Sequence, residues 1–176
     1  NATPTYTNTG EVFDGTSWSN SPATMVQARS TNTGGQYGAG TTLSATIAGG
    51  ITPPASTPNT QGLTEEWSGT SWSAKPVMNT GRRGSGMVGA TSTYALIFCG
   101  GYPGATTGST AAELWDGSTW TTTASLANFK QYVSSAGTAT AGFQCGGDTG
   151  GTATPTLRYT EEWTGSLEAT GTITTS

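Results

Sequence analysis

EEWSGTSW, residues Glu65 to Trp72, sets two tryptophans on either side of a Ser-Gly-Thr-Ser turn. The same eight-residue frame returns as EVFDGTSW (Glu11 to Trp18), ELWDGSTW (Glu113 to Trp120) and EEWTGSLE (Glu161 to Glu168). The copies begin at residues 11, 65, 113 and 161, at intervals of 54, 48 and 48. Self-similarity at such an interval is the mark of a structural repeat. Asp-Gly between apolar residues is a strong hairpin signal. Each octet therefore reads as two strands joined by a tight turn.

Two further landmarks keep step with the octets. Gly49-Gly50, Gly100-Gly101 and Gly146-Gly147 each close a short apolar stretch: SATIA (Ser44 to Ala48), YALIFC (Tyr94 to Cys99) and AGFQC (Ala141 to Cys145). Arg29, Arg83 and Lys130 each stand 17 or 18 residues after the start of an octet. Each is followed by a run of small residues: YGAGTTL, RGSGMVGA and YVSSAGTA. Such runs make strands only where neighbours approach closely, as near the axis of a closed ring. One whole unit then reads as a small-residue strand (Gly86 to Thr91), a turn at Ser92-Thr93 and an apolar strand (Tyr94 to Cys99). A polar loop (Tyr102 to Thr110) leads to a third strand (Ala111 to Trp115) and, past the Asp-Gly turn, to a fourth beginning at Trp120. Four short antiparallel strands in about 48 residues describe a propeller blade.

Composition agrees with many short strands and tight connections. Charged residues are 9% of the 176, against about 25% in an ordinary soluble domain. The formal net charge is −4, too small for a solvated random coil. Thr and Gly take the place of charge, and they favour strands and turns respectively. The chain is long enough for one domain with a real core. Six Lys and Arg leave no basic stripe, so nucleic acid is not expected as a partner. No apolar run approaches the roughly 18 residues of a membrane span. The absence of a signal peptide and of an initiating Met makes Asn1 read as the start of a processed chain, or of the ordered part of a longer one. Cys99 and Cys145 both precede a Gly-Gly pair, one repeat apart, and read as equivalent buried free thiols rather than a disulfide. Two thiols leave the redox compartment open.

An apolar strand ending in Gly-Gly, an acidic-aromatic pair and a Trp a few residues on resemble the kelch repeat. Arg83 to Leu126 matches best, with Gly100-Gly101, Trp115 and Trp120 at the key positions. Arg29 to Pro76 matches with a longer loop after Gly50. Lys130 to Glu168 departs, with Lys130 in place of Arg and Leu167 where Trp is expected; Phe13 replaces the first Trp of the N-terminal unit. The Thr-Glu-Glu-Trp-Ser-Gly-Thr-Ser-Trp form, set in a Thr/Gly/Ala-rich remainder, is similar to kelch-like repeats of tail-fibre and virion surface proteins of aquatic bacteriophages. The resemblance implies an all-β fold of four-stranded β-propeller blades: a partial blade over 1–28 and repeats over about 29–76, 83–126 and 130–176. Trp18, Trp67, Trp72, Trp115, Trp120 and Trp163, with the three glycine pairs, would be its structural positions. Large aromatics at matched places mostly fill the gaps between blades, though stacking against sugar rings is the other reading. About three and a half blades do not close a ring, which usually needs 4 to 8. The chain is thus expected either to belong to a larger propeller or to assemble through open edges.

Catalytic chemistry finds few footholds. The chain has no histidine, which removes His-dependent triads, most zinc sites and the commonest general base. It also argues against the copper oxidases that share kelch-type blades. Gly81 to Gly84 lacks the context of a phosphate loop, and no cofactor is expected. Glu65-Glu66 and Glu161-Glu162 are neighbours in strands and point to opposite faces, so neither pair makes a glycosidase dyad by itself. Asp14 and Asp116 read as turn residues. Asp148 is a slender candidate for calcium. Arg29, Arg83 and Lys130 read as bonded to main-chain carbonyls at blade junctions, whereas Arg82 and Arg158 fall outside the repeat and are freer to function. The least repetitive parts are the loops Ile51 to Gly62, Tyr102 to Thr110 and Asp148 to Leu157. Binding residues concentrate on variable loops over a rigid frame, which singles out Tyr102, Asp148 and Arg158. Asn1-Ala2-Thr3 fits a glycosylation sequon.

These readings converge on a non-enzymatic extracellular or virion-surface attachment module that binds a surface glycan or a protein. A structural subunit of an extracellular fibre, assembling through open blade edges, is the alternative. A glycan-processing enzyme is a distant third. Self-association, or the remainder of a larger fibre protein, supplies the expected partner, with no membrane insertion.

Overall fold

A computed structural model describes residues 6–30, 38–52, 62–101, 108–150 and 158–165, together with the backbone of 167–172. Among these residues there are only strands, turns and bends. β1 (Glu11–Phe13) and β2 (Trp18–Asn20) form a two-stranded hairpin. The rest builds three four-stranded antiparallel sheets whose strands lie in chain order. The first holds β3 (Gly38–Gly40), β4 (Ala45–Ala48), β5 (Thr64–Trp67) and β6 (Trp72–Lys75). The second holds β7 (Gly86–Thr91), β8 (Tyr94–Phe98), β9 (Ala112–Trp115) and β10 (Trp120–Thr122). The third holds β11 (Ser134–Gly137), β12 (Gly142–Cys145), β13 (Tyr159–Trp163) and β14 (Leu167–Thr172).

The octet supplies the third and fourth strands of each sheet. In the first three copies the residues after the aromatic close a two-residue hairpin loop, with Gly15, Gly69 and Gly117 at φ 100°, 90° and 94°. The residue after each glycine keeps a negative φ, the pattern of a type II′ turn, whose twist matches that of the flanking strands. Asp14 and Asp116 each accept the two N–H groups at the far side of the loop through Oδ1, all at 2.8 Å. Ser68 does so once, through Oγ, at 3.2 Å. These bonds hold the Asp14 carboxyl below its usual range and bring Asp116 down to about 2. The loop brings the flanking aromatics into contact: Phe13 with Trp18, Trp67 with Trp72 and Trp115 with Trp120. Their ring centroids are 5.2, 5.4 and 5.3 Å apart, tilted by 37°, 41° and 37°. In the fourth octet the loop is one residue shorter, so Leu167 comes opposite Trp163.

Small residues in the first strands let the sheets stand side by side. A Cβ on Gly89 would sit 2.9 Å from the Ala39 Cβ, and one on Gly142 would sit 2.8 Å from the Val88 Cγ2. Neither position accepts a side chain at that spacing, so β7 lies close to both neighbouring sheets. Two cores fill the gaps. Trp115 and Trp120 pack with Ala39, Ala48, Met78 and Met87 between the first and second sheets. Trp163 packs with Val88, Leu96, Phe98 and Val133 between the second and third. Each large buried aromatic removes well over 100 Å² from water. Trp67, Trp115, Trp120 and Trp163 are buried as expected, and Trp72 is half-buried. Trp18 departs from the expectation and is 67% exposed.

Pairing corrects the register read from the glycine landmark. Ala48, Phe98 and Cys145 stand opposite Thr64, Ala112 and Thr160, so these three are equivalent. The next residues, Gly49, Cys99 and Gly146, share a left-handed backbone, with φ 82°, 52° and 68°. Gly100-Gly101 is therefore one residue out of step with Gly49-Gly50 and Gly146-Gly147. Cys99 and Cys145 are not counterparts. Cys99 fills a glycine position and is fully buried, which pushes its thiol up to about 12; Cys145 is half-buried, and neither forms a disulfide.

Candidate functional site

The first residue of every octet is glutamate, and in the three sheets it carries the same buried network. Glu65 accepts the N–H groups of Val26 (2.6 Å) and Gln27 (3.2 Å), and pairs with the Arg29 guanidinium. Glu113 accepts those of Asn79 (2.8 Å) and Thr80 (3.2 Å), and pairs with Arg82. Glu161 accepts that of Ala127 (2.9 Å), and Lys130 lies 3.4 Å away. All six charged groups are buried. Each carboxylate ties down the connection that enters its own sheet.

The same geometry corrects the basic landmark. Arg29, Arg82 and Lys130 are the equivalent cations, not Arg83, whose counterparts by backbone pairing are Ser30 and Gln131. Arg82, read as lying outside the repeat, is fully buried at its centre. It donates to the carbonyls of Cys99 (3.3 Å) and Ala111 (2.8 Å) as well as to Glu113. Arg29 likewise reaches the carbonyls of Gly49 (3.0 Å) and Leu63 (3.3 Å). The expected main-chain bonds exist for Arg29; in the second sheet Arg82 makes them rather than Arg83, and Lys130 Nζ makes none. The carboxylate partner escaped the sequence reading, although the unvarying Glu at octet position one was its signal.

The third network differs in one instructive way. Lys130 has a single nitrogen and cannot make the forked contacts of an arginine. Opposite Glu161, where the other sheets have Ile47 and Ile97, stands Gln144, whose Nε2 donates to Glu161 at 3.0 Å. Gln144 thus supplies the donor that Lys130 lacks.

The fourth copy of the carboxylate, Glu11 on β1, is exposed, and among the described residues no cation pairs with it. Among the described residues β1 has a partner strand on one side only. Beside it opens a cleft of about 470 Å³ lined by Glu11, Phe13, Trp18, Ala45, Trp67 and Trp72. Phe13 is 42% exposed.

Of the three residues singled out on the loops, two are described. Tyr102 lies outside the described residues, as do the sequon at Asn1 and most of the loops that follow the glycine pairs. Asp148 is half-buried and built into the frame: its Oδ1 accepts from Gln131 Nε2 (3.0 Å) and from Gly150 N (2.8 Å). Arg158 is exposed, immediately before β13. Among the described residues no three His, Cys, Asp or Glu side chains cluster as a metal site would. Comparison with known protein families and with curated proteins finds no match to this chain.

Proposed function

We propose that the chain is a non-enzymatic attachment module of an extracellular or virion surface, built of kelch-like propeller blades. The observation that carries this reading is the use made of the buried charges. Glu65, Glu113 and Glu161, the carboxylates best placed for acid–base work by burial, are each engaged by backbone N–H or amide donors and lie beside a cation, and so hold the blade entrance. A frame of that kind is suited to presenting variable loops rigidly. Asp148 and Arg158 flank one such loop, and Tyr102 belongs to another. The ligand class is a surface glycan or a protein. The test is binding of the chain to a glycan array and to host-surface extracts. Specific binding that R158A and Y102A abolish, with the unfolding midpoint unchanged, supports the reading. Polysaccharide turnover lost on a single Glu→Gln change replaces it with an enzyme.

A second reading, a fibre or filament subunit, draws support from the ends of the row of sheets. Phe13 and Trp18 are exposed at one end. At the other, Phe143 stands where the second sheet has Leu96, and is 42% exposed against 0% for Leu96. Large apolar side chains left open on both flanks suit contacts with further blades.

A further inference from the structure

We propose that Arg83, Gln131 and Tyr132 form a binding site for an acidic sugar, a uronic acid of a surface glycan. The inference rests on the attachment reading above and gives it a ligand class and contact residues. Backbone pairing makes Ser30, Arg83 and Gln131 equivalent, and each follows the inward cation of its sheet. The inward positions repeat one chemistry, whereas these three carry a hydroxyl, a guanidinium and an amide. They lie at the end of the sheets from which the loops after the glycine pairs depart. A rigid frame carries its specificity at such unrepeated positions.

Arg83 is not used by the frame. It is half-buried, and among the described residues it pairs with no carboxylate. Its Nε is shielded from water and has no hydrogen-bond partner. Buried donors are nearly always bonded, so this one points to a ligand that brings the acceptor. Across from Arg83 stands Gly101, where the flanking sheets have Ile51 and Asp148. A Cβ on Gly101 would lie 3.0 Å from Gln131 Oε1 and 3.8 Å from Arg83 Nε, so the two side chains border one small space. Asp148 Oδ1 accepts from Gln131 Nε2 at 3.0 Å, which leaves Oε1 on the side of that space. The planar fork of an arginine matches a carboxylate. The acceptor beside it calls for a hydroxyl donor on the same ligand. A uronic acid has both groups; a phosphate dianion would meet the Asp148 carboxylate with nothing to donate.

Tyr132 gives an independent indication. Its backbone is left-handed, with φ 56°, at the position where the second sheet has Gly84 at 63°. A tyrosine is strained there, and strain of this kind gathers at ligand sites. The ring lies against Gly84, where a Cβ would come within 2.6 Å of two ring carbons, and so stands next in line to Arg83. It is half-buried, which leaves part of it open. An aromatic surface beside a few fixed polar groups is the usual make-up of a small-molecule site.

The test is a glycan array of uronic-acid oligosaccharides, each printed beside its methyl ester. The free acids are expected to bind, and the esters, which keep the ring hydroxyls and lose the charge, to bind about tenfold or more weakly. R83Q is expected to abolish that preference and to melt with the native chain, since it breaks no ion pair. Y132G relieves the strained backbone and is expected to weaken both members of each pair. Acids and esters bound alike, or a preference that R83Q retains, overturn the inference and leave the attachment reading standing. So does a polyglutamate or phosphoserine peptide that competes as well as the uronic acids, because the site then takes any anion. An R83Q chain that melts well below the native one also overturns it, since Arg83 then serves the frame. Absence of binding to every glycan on the array and to host-surface extracts removes the attachment reading as well.

Discussion

The Arg82 guanidinium and the Glu113 carboxylate meet inside the second sheet, 31 residues apart in the chain, with both side chains shielded from water. Two charges taken out of water must satisfy each other, and removing one leaves the other uncompensated. The arrangement recurs as Arg29 with Glu65 and as Lys130 with Glu161, so it is the joint on which each sheet closes.

E113Q is expected to lower the unfolding free energy by about 3–5 kcal/mol, the usual result of breaking a buried ion pair. E66Q, one residue along from the octet glutamate Glu65 of the first sheet, is the control. Glu66 is half-buried and pairs with Lys75 at 3.1 Å. A pair of that exposure contributes about 1 kcal/mol or less. Urea denaturation of the two variants measures the contrast, and equal losses would remove the special role of the octet glutamate.

Lys130 and Gln144 act as one unit in place of an arginine and an isoleucine. Q144I alone takes a donor from buried Glu161 and is expected to destabilise the chain. K130R added to Q144I recreates the pattern of the first two sheets and is expected to recover much of that loss. The coupling between the two positions should be roughly 1 kcal/mol. A double-mutant cycle by chemical denaturation measures it; strict additivity would contradict the pairing.

Much of this architecture was legible in the sequence, for a physical reason. Turn chemistry is local: Asp-Gly and Ser-Gly each fix a hairpin, and the spacing of the octets then carries every third and fourth strand. The strand Gly86–Thr91 and the turn at Ser92-Thr93 stand where the small-residue run and its successor put them. What failed was long-range register. Gly100-Gly101 resembles the other glycine pairs so closely that it hides a one-residue slip, and Arg83 beside Arg82 hides which of the two turns inward. Only cross-strand pairing distinguishes them. The pairing of each glutamate with its cation, 31 to 36 residues away, needs the same cross-strand register, although the unvarying Glu marks one half of every joint. Glu11 shares the first octet position with the other three glutamates, and its singularity emerges only when those three are seen to be buried.

Cys99 tests the register directly. Its φ of 52° is a conformation that glycine holds at both equivalent positions. A side chain there is held at a cost of about 1–2 kcal/mol. C99G is therefore expected to be more stable than C99A by about 1 kcal/mol, the reverse of the usual order in a strand. Thermal unfolding of the two variants decides; C99A above C99G would contradict the assignment.

Asp116 gives a pH dependence of known sign. Its carboxyl titrates at about 2 in the folded chain because it accepts the Thr119 and Ser118 N–H groups and the Ser118 hydroxyl, against an ordinary value of 3.8. A depressed folded value means that the stabilisation is complete above pH 3.8 and fades as pH falls from there through about 2. The melting temperature of the native chain should exceed that of D116N at pH 6, and the gap should close toward pH 2. A gap that stays constant over that range would contradict the role of the charge.

The central claim is that the octet tryptophans are wedges between side-by-side sheets, and hydrogen exchange at the six indole N–H groups tests it most directly. Trp67, Trp115 and Trp163 donate Nε1–H to the carbonyls of Thr42, Ser92 and Ala139, and Trp120 donates to the Thr64 hydroxyl of the neighbouring sheet, at 2.7–2.9 Å. Those four resonances should exchange slowly with deuterated solvent, while that of Trp18, 67% exposed, should vanish at once. Rapid and uniform exchange of all six would contradict the account.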